Sequence, residues 1–116
     1  MIRAAALPVL VSAALLAACQ TGPASFGQGV TPVDGTWIAG NRESVTTFNR
    51  GRMTTNLRET GELVAEGTYQ FNGGTVVAQW VALRNLQNRS ATCSLTQPDM
   101  LNCQPAGAAP FVLNRT

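Results

Sequence analysis

The chain has 116 residues and a formal net charge of +2; 45% of it is hydrophobic and only 12% charged. Histidine and lysine are absent, which removes imidazole nucleophile pairs, imidazole metal ligands, Schiff-base amines and phosphate-loop lysines. After a lone Arg3 the arginines are spread from Arg42 to Arg115, without the basic run that a nucleic-acid footprint requires.

Arg3, the apolar stretch Ala4 to Leu16 and the small residues that follow read as an export signal. The stretch covers about 13 residues, whereas a bilayer-crossing helix needs roughly 20. Leu16-Ala17-Ala18-Cys19 resembles the lipobox of bacterial lipoproteins. That resemblance implies cleavage before Cys19, which then carries diacylglycerol and an N-linked fatty acyl group such as palmitate. One acyl chain holds a protein to a membrane only marginally, and several hold it stably. Gln20, where Asp is absent, is similar to lipoproteins sorted to the outer membrane.

The expected layout is a lipoprotein signal peptide over 1–18, a lipidated cysteine and flexible tether over 19–32, and a β domain over 33–116. Gln20 to Pro32 holds Gly, Pro, Ser, Thr and Gln, with Phe26 as an isolated aromatic. As a random coil its about thirteen residues span roughly 20 Å.

From Val33 onward the hydrophobic pattern has period two, the signature of half-buried strands. Gly35-Thr36-Trp37 opens the first strand. Met53, Thr55 and Leu57 oppose Thr54, Asn56 and Arg58. Leu63, Ala65, Gly67, Tyr69 and Phe71 oppose Val64, Glu66, Thr68 and Gln70. Thr75 to Leu83 is apolar on both faces, which predicts a strand covered on both sides. Ala91, Cys93 and Leu95 share one face, as do Phe111 and Leu113. Turn signals separate these runs at Gly40-Asn41, Asn49-Arg50-Gly51, Thr60-Gly61, Asn72-Gly73-Gly74, Asn85 to Arg89, Gln97-Pro98-Asp99 and Pro105 to Pro110. About eight short strands at this spacing predict an all-β fold, a small antiparallel β-barrel or alternatively a β-sandwich.

With Cys19 given to lipid, Cys93 and Cys103 remain as a pair in an oxidising compartment. They are symmetric about Pro98, so a hairpin turning at Gln97 to Met100 sets them opposite each other, on the inward face. The pattern therefore predicts a cross-strand disulfide closing a loop of about eleven residues, worth roughly 2–3 kcal/mol in the chain-entropy model.

Trp37 and Trp80 have two readings. One makes Trp37 a plug at the end of a filled barrel; the other makes Trp37, Trp80 and Tyr69 the wall of a ligand cavity. The aromatic count suits a filled interior, and a packed core is expected. Glu59, Glu62 and Glu66 surround a turn, where solvated charge explains them better than the paired carboxylates of glycoside chemistry. Asn88-Arg89-Ser90 and Asn114-Arg115-Thr116 match a glycosylation pattern that a bacterial lipoprotein seldom uses.

Gly35-Thr36-Trp37, Phe48-Asn49, Leu63-Val64-Ala65-Glu66-Gly67-Thr68-Tyr69, the run from Cys93-Ser94-Leu95 to Leu101-Asn102-Cys103, and Phe111-Val112-Leu113 followed by Arg115 stand in an order that, with the lipobox, resembles one family. It is the minor outer-membrane lipoprotein family of Brucella and related rhizobial alphaproteobacteria. The resemblance spans nearly the whole chain. It implies a Gram-negative cell outer membrane location, lipidation at Cys19, surface exposure to antibodies in the pathogens, and no enzymatic activity. The expected function is a structural or interaction role in the envelope, with the membrane and an envelope protein as partners. Neither a cofactor, a metal nor a nucleic acid is expected.

Two alternatives belong to other classes. One is a periplasmic inhibitor of a protease or lysozyme. The chain is similar in plan to secreted inhibitors of bacterial metalloproteases, which thread into a protease a free N-terminal segment that lipid at Cys19 would tether here. Lysozyme-inhibitor lipoproteins use a Ser/Lys loop that a Lys-free chain lacks. The other alternative is a lipocalin-like binder of a small apolar ligand.

Overall fold

The computed structural model describes residues 29–116, so the expected signal peptide, the lipidation of Cys19 and the tether up to Gln28 lie outside the described residues. The described residues form eight strands: β1 (Gly35–Ala39), β2 (Ser44–Asn49), β3 (Arg52–Leu57), β4 (Leu63–Asn72), β5 (Thr75–Ala82), β6 (Gln87–Gln97), β7 (Met100–Pro105) and β8 (Phe111–Arg115). Each pairs antiparallel with its neighbour in sequence, and the order closes into a barrel. The closing seam joins β1 to β8 through Trp37↔Arg115, Ile38↔Asn114 and Ala39↔Leu113. Closure decides between barrel and sandwich, and among the described residues it leaves no strand edge unpaired.

Alternation places the core. Trp37, Phe48, Met53, Tyr69, Val76, Ala78, Cys93, Leu101, Cys103 and Leu113 point inward and are buried, joined by Val33 from the segment ahead of β1. Outward positions such as Glu66, Thr68, Gln70, Gln79, Thr92, Ser94, Asn102 and Gln104 are exposed and polar. A transmembrane barrel has the reverse arrangement, an apolar band outside and polar residues within.

Turn chemistry fixes the hairpins. Gly73 and Gly74 both sit in the left-handed region, with φ of 61° and 85°, as the two-residue turn between right-twisted strands demands. Arg50 and Gly51 make the same turn between β2 and β3, with φ of 50° and 88°. Gly67 does a different job. It pairs with Trp80, and a Cβ there would lie 1.9 Å from the carbonyl oxygen of Gln79 and 2.5 Å from Cα of Trp80. Only a residue without a side chain lets the two backbones approach this closely.

Three expectations are corrected. The outer face of β5 is not covered: Val77 is 46% exposed, because a single barrel wall has one buried face and nothing packs outside it. The turn expected over Asn85 to Arg89 ends earlier, and Gln87, Asn88 and Arg89 pair with Ala82, Val81 and Trp80 at the start of β6. Leu63 leaves the inward face because the register shifts by one residue between Thr55 and Asn56, pairing Asn56 with Leu63; it is 38% exposed. A bulge of this kind reverses facing beyond it.

Candidate functional site

The two ends of the barrel differ. One end, the base, gathers the segment ahead of β1, the C-terminus and the hairpin turns at Arg50-Gly51, Gly73-Gly74 and Pro98-Asp99. The opposite end carries the loops over 40–43, 58–62, 83–86 and 106–110.

The base is closed and clamped. Trp37, fully buried, donates its indole N–H to the carbonyl of Val33 at 2.9 Å. The guanidinium of Arg115 lies 4.3 Å from the Trp37 ring. It also donates to the carbonyl of Pro32 at 2.6 Å, of Asp34 at 3.0 Å and of Pro98 at 3.1 Å. One side chain thus ties the segment ahead of β1 to the turn between β6 and β7. Thr31 and Pro32, at the end of the expected tether, are therefore held against the barrel.

Asp34 is the second tie. Its carboxylate accepts from the Thr31 hydroxyl at 2.8 Å, from the Arg50 backbone N–H at 3.0 Å and from the Tyr69 hydroxyl. Burial pushes this carboxyl up, but the bonds from Tyr69, Arg50 and Thr31 together outweigh it and hold the group below its ordinary value. Burial and the Asp34 bond both raise the Tyr69 phenol. The Tyr69 ring stands edge-on to Phe48 with centroids 4.8 Å apart. Sequence reasoning did not single out Asp34; a lone carboxylate before a Gly-Thr-Trp strand carries no motif of its own. In the sequence Arg115 stands out only as the end of the arginine spread, as part of a glycosylation-like triplet and as a position of the family pattern, none of which points to a clamp.

The other end is open. A cavity of about 180 Å³ runs into the barrel there. Thr46, Met53, Thr55, Ala91, Trp80 and Phe111 are among its walls, together with the Cys93–Cys103 disulfide. Trp80 is thus the predicted wall residue that the cavity contains. Trp37 and Tyr69 sit deeper, packed into the base. The disulfide joins directly opposed residues of β6 and β7, as the symmetry about Pro98 predicts. A larger groove of about 820 Å³ lies among Glu66, Gln79, Trp80 and Arg89; it is open to solvent and encloses nothing. Of the turn carboxylates, Glu62 makes an exposed ion pair with Arg84 at 3.1 Å, a contact worth little in water.

With the barrel, the disulfide and the clamped base in view, the comparison with known proteins is decisive. Residues 34–114, nearly the whole barrel, match the family described as outer membrane lipoprotein Omp10. The chain belongs to the Omp10 family of outer membrane lipoproteins. The Omp10 homologue of Rhizobium meliloti is 35% identical over 118 residues, covering 96% of this chain and 95% of its own. That of Mesorhizobium japonicum is 34% identical, covering 89% and 86%. Omp10 of Brucella melitensis is 30% identical, covering 93% and 90%. No solved structure gives a significant match. The Omp10 name states an outer-membrane location and a lipoprotein nature, and it carries no catalytic term.

Proposed function

We propose that this Omp10 family member is a non-catalytic interaction domain moored to the outer membrane through acylated Cys19, with its open end presented away from the anchor. The observation that supports this most is the clamp at the base. Arg115 and Asp34 hold the segment leading from Cys19 against one end of the barrel, which leaves the other end free. The polar outward faces of the strands suit a domain surrounded by water beside the membrane. The two titratable groups at the base, half-buried Asp34 and buried Tyr69, bond to each other, and Asp34 bonds on to Thr31 and Arg50, so they do structural work there. In this reading 1–18 is removed on export and 19–28 spans between lipid and barrel. The loops of the open end are the face that a protein partner or an antibody meets.

A deletion strain tests the role directly. Its sensitivity to detergent and antibiotics is expected to rise, to be restored by the wild-type chain, and to stay raised with Cys19→Ser. A Cys19→Ser protein that still sediments with the outer membrane contradicts the mooring. A deletion strain as resistant as its parent contradicts the envelope role.

A further inference from the structure

We propose that the interior cavity at the open end is a binding site for one small ring-sized hydrophobe carrying a single acceptor oxygen, such as an aryl ketone. Three observations fit that occupant.

The first is size. The cavity measures about 180 Å³, and an apolar cavity of about 150 Å³ in another protein binds benzene. A six-membered ring with a short substituent fills it; a whole lipid does not.

The second is the wall. Met53, Leu113, Phe111 and the disulfide-bonded Cys93 and Cys103 line it, and thioether and aromatic groups are soft, polarisable partners for a ring. Phe111 is 36% exposed, and with half-buried Trp80 it gives the cavity an aromatic rim.

The third is a spare proton. Thr46 and Thr55 are directly opposed on β2 and β3, both line the cavity, and their hydroxyl oxygens are 2.8 Å apart. Two hydroxyls bring two protons, and their mutual bond uses one. Among the described residues no other hydrogen bond is made by either hydroxyl, although Thr46 is only 6% exposed. Buried polar groups seek partners, so this pair presents one donor to whatever fills the cavity. A carbonyl oxygen accepts it.

This site goes beyond the mooring role and does not depend on it, since it rests on the barrel interior alone. The test uses the full chain in detergent, with its methionine methyl groups observed by NMR. Met53 lines the cavity and Met100 does not, so Met100 is an internal control for probe dissolved in the micelle. The probes are acetophenone and α-methylstyrene, which have nearly the same shape but differ in the acceptor oxygen.

Acetophenone is expected to shift Met53 and leave Met100 in place, binding about two- to twelvefold more tightly than α-methylstyrene, the range one hydrogen bond supplies. Thr46→Val with Thr55→Val removes both hydroxyls at nearly constant volume, and the preference is expected to fall to about one. Ala91→Met, which fills the cavity, is expected to abolish the Met53 shift with both probes. Equal shifts at Met53 and Met100 overturn the proposal, and so does a ketone preference that survives the double valine variant. No Met53 shift at probe saturation overturns it as well.

Discussion

Asp34 shows how one side chain can tie three parts of a fold together where the chain enters the barrel. Its carboxylate collects donors from the segment ahead of β1, from the β2–β3 turn and from β4. The native carboxyl is lowered, so the ionised form is favoured by folding. Its contribution is fully present above the unfolded value of about 3.9 and is lost as pH falls through the lower native value. Tyr69 is raised, so its contribution is present below about 10 and is lost as pH rises through the higher native value. Urea unfolding at a series of pH values is expected to show a plateau between these limits. Asp34→Asn keeps the shape but loses charge-assisted bonds; it is expected to cost about 1 kcal/mol at neutral pH and to flatten the acid limb. An acid limb as steep as that of the wild type would assign acid unfolding to other carboxylates.

At the scale of elements, the hairpin of β6 and β7 carries the disulfide. The cross-link removes roughly 2–3 kcal/mol of freedom from the unfolded chain, and for a domain of this size each kcal/mol moves the midpoint by about 4–8 °C. Cys93→Ala, or reduction, is therefore expected to lower the melting temperature by about 10–20 °C in a calorimetric scan. A midpoint that ignores reductant would remove the bond from the stabilising framework.

The strands and this pairing were legible in the sequence because each follows from local rules: period two, turn residues with positive φ, and symmetry about Pro98. What escaped was nonlocal. The slip that turns Leu63 outward depends on how β3 and β4 register, not on the alternation within β4. Val77 looked covered because a valine run reads alike whether or not a second layer exists. Asp34 and Arg115 are far apart in sequence, and their meeting at the base is a product of closure. The hydroxyl pair of Thr46 and Thr55 likewise exists only once β2 and β3 are aligned.

The whole molecule is organised by polarity of ends. One end receives the chain and is locked by Trp37, Asp34 and Arg115; the other is open, loop-bearing and hollow for about 180 Å³. Family membership sets this barrel at the outer membrane, and the mooring proposed at Cys19 would turn that asymmetry into an orientation. The measurement that bears on this most directly is the intact mass of the native protein extracted from outer membranes. We predict a chain beginning at Cys19 whose mass exceeds that of the polypeptide by a diacylglyceryl group and one further acyl chain. A Cys19 bearing a free thiol, or a mature chain that begins elsewhere, would contradict the account.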